Sequence, residues 1–528
     1  MSTDEAYALL DKLLADFGAS RENGKSTVKF TNPLPPSSTH QSSKINLSLA
    51  GSIPSTACVV LASQIHEART GQSQTITTDL SRGGSYIDPD EGMTPSLNGQ
   101  EIPVDVVIGN PFLKNIFETR DGRFVLTLLG CGPEEGDVKE RVGRWEADKL
   151  ITAAAKAGLP AALVHSEEEW AATPQGRYLH SKPIVPITKI NSTAPIPWPS
   201  QDATSPSRPL QGIKVLSATH AIAGPSSGRT LAEHGASVLQ IMFTHGFEHA
   251  FVYSNANLGC ASARLNFHKP ADVQRMWELI RDADVWVDSY RDGALAKFGF
   301  TDEKMVERNS SLIISHVRCF GYGSPWGERA GFDMQGSAAS GMMAFCGEGA
   351  LKPKWPQAFV INDYTTGFLG ALAILSTLLR RSKEGGAYIL APSLVGTAMS
   401  ILKLFKATPP PSASPTTQIL QSQLHATPSP PYQISRQTPL GYLHTWAPLP
   451  QLSLTPARYD PILLVPIGSS LPCFPGFEEG FDVESVKPRS KKDLEVDVAA
   501  GALRKLKQLK EMREELEGEG ERGKKARL

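Results

Sequence analysis

One acidic residue, Asp363, stands directly before the apolar run of VINDYTTGFLGALAIL, residues 360–375. A carboxylate there has two uses. It can attack an activated carbonyl, because a carboxylate is a weak nucleophile whose acyl adduct is reactive enough to pass its group on. It can equally cap the helix that the apolar run announces. A helix N-terminus would favour the ionised form by about 0.3–1 kcal/mol at an exposed site. Other chemistries find fewer residues. The six cysteines (Cys58, Cys131, Cys260, Cys319, Cys346 and Cys473) form no CxxC pair and no Cys/His cluster. No metal site or disulfide framework is expected, and a reducing compartment fits. The turn SATHAIAGPSSG carries a lone histidine, His220, which reads as a packing or hydrogen-bonding group rather than a base. Neither GxGxxG nor GxxxxGK[ST] occurs there, so neither phosphate-binding fingerprint is present.

The elements around these residues follow from composition and pattern. At 528 residues the chain exceeds one core, at a prior of about 150 residues per domain. Its 53 basic and 54 acidic side chains balance, so no global field recruits nucleic acid or anionic lipid. The acidic, amphipathic start reads as neither a signal nor a transit peptide. No uninterrupted apolar run reaches about 18 residues, so no membrane span is expected. The final Ala-Arg-Leu is a variant of the Ser-Lys-Leu peroxisomal address, and cytoplasmic or peroxisomal residence is the expectation. Residues 1–194 hold the apolar helix ACVVLASQIHEAR, the strand QTITTDL and the hairpin FETRDGRFVLTLL with its Asp-Gly turn. A Pro/Ser linker covers 195–209. Residues 210–405 alternate strand and helix, which predicts a parallel, doubly wound sheet that binds ligands at the carboxyl ends of its strands. A low-complexity Pro/Ser tract (406–437), a closing segment (438–475) and a charged helical tail (476–528) complete the chain. ARTGQSQTITTDL and SKEGGAYILAPSL each follow an apolar helix, and pairing Leu80 with Leu394 suggests a repeat at an offset of 314 (394 − 80). Leu49 occupies the position that matches Asp363, so one copy alone could use a carboxylate there.

PLQGIKVLSATHAIAGPSSGRTLAEHGASVLQI resembles the opening of the family III CoA-transferases. ADVWVDSYRDGALAKFGF, SLIISHVRCFGYGSPWGERAGFD and INDYTTGFLGALAILSTLLRR follow in the family's order. NPFLKNIFETRDGRFVLTL and EEEWAATPQGRYL look like its later half yet precede its opening, and 438–468 resembles its closing segment. The arrangement is similar to fungal members with two incomplete copies. The resemblance implies an α/β fold, a Rossmann-like large domain with a parallel sheet plus a smaller α/β domain, in an interlocked homodimer. It implies transfer of CoA from an acyl-CoA to a carboxylic acid through an aspartyl anhydride on Asp363, with coenzyme A as substrate and no permanent cofactor. It places CoA along Ala221, Ile222 and Ala223, then Leu265, Asn266, Phe267 and His268, then Ser289, Tyr290, Arg291 and Lys297. Arg291 and Lys297 suit phosphate by charge. The chain departs from the pattern with Cys260 and Ala261 in place of a basic pair and Phe243 in place of a frequent basic residue. The family's racemases use a Gly-His-Asp triplet for proton transfer; here it is Gly331-Phe332-Asp333, and phenylalanine moves no proton. A CoA-binding protein without catalysis is the third reading.

Overall fold

The computed structural model describes residues 3–33, 44–87, 93–102, 117–118, 124–127, 135–199, 208–243, 248–407 and 429–474. The middle of the linker, most of the low-complexity tract and the charged tail with its Ala-Arg-Leu ending lie outside these residues.

The large sheet is built from strands whose side chains are buried almost without interruption, as expected where both faces are covered. β1 (Lys214–Ala218), β2 (Ser237–Phe243), β3 (Ala261–Leu265), β4 (Val285–Asp288), β5 (Ile313–His316) and β6 (Tyr388–Leu390) run parallel. Their order is β3-β2-β1-β4-β5-β6, with Ile187–Lys189 added antiparallel to β6. This is the doubly wound order, and its direction reverses between β1 and β4, where the crevice at the strand ends receives ligands. The expected Rossmann-like large unit is therefore observed. The smaller α/β part includes Phe117–Glu118, Phe124–Thr127 and Ala161–Leu163 in one antiparallel sheet beside the helix Ala147–Lys156.

Five helices matter for the site. They are α1 (Leu47–Thr70), α2 (Ala223–Ala232), α3 (Asp333–Ala339), α4 (Ile361–Glu384) and α5 (Leu394–Leu404). α1 and α4 are both 24 residues long and start 314 positions apart (361 − 47), the offset that the sequence suggests. Leu80 and Leu394 each begin the helical turn that follows the paired strand. α1 has the length and composition of a membrane-crossing helix, but 94% of its most apolar stretch is buried inside the protein. It is a core helix, packed against α4.

α2 and α4 approach closely because glycine faces serine between them. A Cβ on Gly367 would lie 2.6 Å from the Cβ of Ser226, and one on Gly370 would lie 2.7 Å from the Oγ of Ser227. The closeness brings both helix N-termini to the carboxyl edge of the sheet.

Candidate functional site

Asp363 is the third residue of α4, and Val360 holds the cap position. The capping alternative is therefore corrected: Asp363 does not cap its helix. Nor is it an exposed group at a helix end, since only 8% of its surface reaches solvent. Its own backbone N–H is capped from elsewhere, donating to the Asp333 carboxylate at 2.8 Å. Asn362 donates its side-chain amide to the other Asp333 oxygen at 2.9 Å, and the Ser337 hydroxyl donates to that same oxygen at 3.3 Å. Asp333, first residue of α3, is thus the group that ties the start of α4 in place.

The result is two buried acids side by side. Burial, followed by the charge of Asp333, pushes the Asp363 carboxyl well above the usual carboxylate range. The backbone N–H of Ala223 at the start of α2 works in the opposite direction. Burial also raises Asp333, to about 7, against the hydrogen bonds from Asp363, Asn362 and Ser337. Like charges in one dry site cannot both ionise easily. Asp333 has the richer set of donors, so it carries the charge and Asp363 holds the last proton of the pair. Such a pair can deliver a nucleophilic carboxylate once that proton leaves. Burial further lifts the neighbouring Cys319 thiol, with Asp363 and Asp333 adding to the shift.

α1 starts in a different way. In α1 the third-residue N–H, that of Leu49, is capped locally by the Asn46 side chain at 3.1 Å. In α4 the equivalent N–H takes its partner from 30 residues upstream, and the partner is a second acid.

The strand-end turn lies beside the pair. Ala221 adopts φ +62°, a left-handed conformation that non-glycine residues seldom take. Ile222 is the N-cap of α2 and Ala223 its first residue. The His220 N–H donates to the Ser289 Oγ at 3.0 Å, which joins the ends of β1 and β4 across the crevice. Burial lowers the His220 imidazole and keeps it neutral. Its ring packs on Tyr290 at 5.1 Å and meets Phe332 edge-on at 6.4 Å, in keeping with a packing role.

The remaining candidates follow along an aromatic ridge. Tyr290 touches Phe243 at 4.6 Å, and Phe243 meets Phe267 at 5.0 Å. Phe267 is buried against Phe298 and Phe300. Leu265 is buried at the end of β3. Asn266 accepts the His268 N–H at 3.0 Å and donates its own N–H to Asp272 at 2.7 Å, which makes the turn into the helix Pro270–Asp282. Lys297 is exposed, its ammonium 5.0 Å above the Phe298 ring. Arg291 is exposed and reaches over Gly158, where an added Cβ would lie 2.7 Å from its Nη1. Ala223 reaches Asp363 through its N–H, while Ser289 and Tyr290 pack on His220 at the start of the turn. Arg291 instead leans towards the loop between Lys156 and Ala161. Cys260 and Ala261, in place of a basic pair, are buried. No group of three or more potential metal ligands occurs among the described residues.

Sequence reasoning passed over Asp333 as a partner of Asp363, and Glu248 altogether. The Gly331-Phe332-Asp333 triplet offered a signal for the first, but weighed only as a proton-transfer motif it is incomplete.

Residues 210–436 match CoA-transferase family III. Acetyl-coenzyme A transferase nodX of Hypoxylon pulicicidum is 31% identical over 310 residues, covering 52% of this chain and 52% of that protein. An acyl-CoA transferase of Gibberella moniliformis is 30% identical over 297 residues, covering 53% and 52%. Human succinyl-CoA:glutarate CoA-transferase is 28% identical over 207 residues, covering 37% and 47%. The chain thus spans about half the length of the relatives it matches. The crystal structure of Rv3272 from Mycobacterium tuberculosis aligns at 26% identity and a TM-score of 0.35, covering 45% of this chain and 65% of that one.

Proposed function

We propose that this chain, whose residues 210–436 match CoA-transferase family III, moves coenzyme A from an acyl-CoA to a carboxylic acid, with Asp363 as the nucleophile. One observation carries the reading. A buried carboxylate stands at the meeting of two helix N-termini, at the strand-end crevice, with a second acid holding its helix in place.

The chemistry balances without a resident cofactor. The Asp363 oxygen attacks the thioester carbonyl carbon, the C–S bond breaks, and coenzyme A leaves as the thiolate with the electron pair. The mixed anhydride is activated at both carbonyls. Attack of the thiolate on the aspartyl carbonyl releases the first acid and leaves an aspartyl thioester. The acceptor carboxylate then attacks the aspartyl carbonyl, the C–S bond breaks to release the thiolate again, and that thiolate attacks the acceptor's carbonyl in the new anhydride and frees Asp363. The partial positive charge of the two helix N-termini favours the anionic form that must attack. Asp333 acts as a positioning residue through the α4 backbone.

Coenzyme A would lie along the turn of Ala221, Ile222 and Ala223 and towards Ser289 and Tyr290. The supporting features are the switch-point location and backbone N–H groups at a helix start. A homodimer, implied by the resemblance, is part of the proposal. Racemisation is the weaker reading, since Phe332 cannot carry a proton. Incubation with an acyl-CoA labelled in its coenzyme A part, together with free acids, decides between the readings: label should pass to the acid's CoA ester. Exchange of the α-proton without transfer would favour a racemase, and neither reaction would favour simple CoA binding.

A further inference from the structure

Glu248 places a third acid at the mouth of the site. It follows the end of β2 and reaches back across the strand ends, accepting the Ala221 N–H at 2.6 Å through Oε2. Its other oxygen accepts the N–H of its neighbour His249 at 3.3 Å. Both partners are backbone groups. Among the described residues no lysine or arginine pairs with it. Its charge adds to the forces that raise Asp363 and Tyr290. Burial lifts Glu248 itself, opposed by the two N–H groups.

Stability does not account for this placement. A half-buried carboxylate with no counter-ion costs free energy, more so beside two further acids. The Ala221 conformation adds backbone strain. Together they aim a backbone N–H at an anionic oxygen, at the switch point where sheets of this order bind ligands.

We propose that the Glu248 carboxylate occupies, as an internal mimic, the subsite for a substrate carboxylate, and that the arriving acid displaces it from the Ala221 N–H. The inference deepens the transferase reading and rests on it for the identity of the acid. Displacement withdraws one negative neighbour from Asp363, so arrival of the acceptor and ionisation of the nucleophile are coupled.

Acetate and coenzyme A, titrated separately into the full-length protein by calorimetry, test the assignment in wild type, Glu248→Ala and Glu248→Gln. A group that fills a site most of the time weakens a competitor in proportion to the free fraction. Acetate should therefore bind Glu248→Ala about tenfold more tightly than wild type or better. Glu248→Gln should gain less, because its amide oxygen still accepts the Ala221 N–H. Coenzyme A, which meets the same turn, should gain less than acetate. If coenzyme A alone tightens, the mimicked anion is a phosphate and the carboxylate assignment falls. If neither ligand tightens in a variant that melts at the wild-type temperature, Glu248 mimics nothing. Should Glu248→Ala fail to fold, the near-isosteric Glu248→Gln decides the same question through a smaller gain. Titration needs no turnover: a protein that transfers nothing but shows the acetate gain loses the transferase reading and keeps the anion subsite. One that transfers without the gain does the reverse.

Discussion

At the residue scale, the behaviour of Asp363 depends on Asp333. Both acids are raised in the folded protein, so they bind protons there that the unfolded chain releases. They favour the fold below their unfolded values near 4, and that contribution is lost as pH rises through the folded ones. The same shift sets activity: attack needs the ionised form, so transfer should rise as the pH is raised. Asp333→Asn removes the charge that opposes ionisation of Asp363, and its amide oxygen can still accept the Asp363 N–H. The acid limb of the pH–rate profile should move to lower pH in this variant. An unmoved limb, measured alongside an unchanged melting temperature, would show that Asp333 does not set the ionisation of Asp363. Asp363 was legible in the sequence because a lone acid before an apolar run is a local pattern. Its pairing with Asp333 was not, because a contact between residues 30 positions apart leaves no local trace. Resemblance could likewise place Arg291 in the chain but not the direction in which its side chain reaches.

At the scale of elements, the carboxyl ends of β4 and β5 are held by a buried ionic cluster. The His316 imidazole lies between Asp288, 2.6 Å from Nδ1, and Asp302, 2.9 Å from Nε2. Tyr322 stacks on it at 3.9 Å and donates its hydroxyl to Asp302 at 2.6 Å. Arg318 bonds Asp288 and Asp292, each at 2.7 Å. Burial alone would lower the imidazole, but Asp288 and Asp302 outweigh it and raise it. Burial alone would raise Asp288, but Arg318 and His316 hold it below the usual range. The histidine's contribution to stability is complete below its unfolded value near 6.5 and is lost as pH rises through its raised folded value. That of Asp288 is present above about 4 and lost in acid. His316→Gln leaves buried carboxylates short of a cation and should cost about 3–5 kcal/mol. It should also abolish the alkaline fall in stability, which denaturant unfolding between pH 6 and pH 9 would register. An equal loss at every pH would mean that the ring packs there as a neutral group. The strands that carry this cluster were readable as continuous apolar runs. The pairing of Gly441–Trp446 with Ser96–Leu97 was not, since strands so distant in sequence give no joint periodicity. α1 was read from Ala57 onwards, whereas it begins at Leu47. A helix buried on all sides has no amphipathic stripe to mark its first turns.

At the scale of the whole molecule, α1 and α4, two helices of equal length that start 314 positions apart, pack together within a single chain. Of the two, α4 alone has an acid in its first turn, and the Asn46 cap in α1 shows how an ordinary helix start is built. A homodimer predicts a mass of about twice 57.0 kDa by light scattering. A value of 57.0 kDa would mean that the contact between copies inside one chain has replaced the contact between chains. The offset of the repeat could be read from two short segments, but the packing of its helices on each other could not.

The central claim is that Asp363 becomes covalently acylated, and trapping tests it most directly. Wild-type protein incubated with an acyl-CoA and hydroxylamine should yield, on peptide mass spectrometry, a hydroxamate at Asp363, and Asp363→Asn should yield none. The variant should lose transfer by orders of magnitude while its melting temperature holds or rises, because a buried acid has been replaced by a neutral amide. Transfer at the wild-type rate by Asp363→Asn, or a hydroxamate on any other carboxylate, would contradict the account.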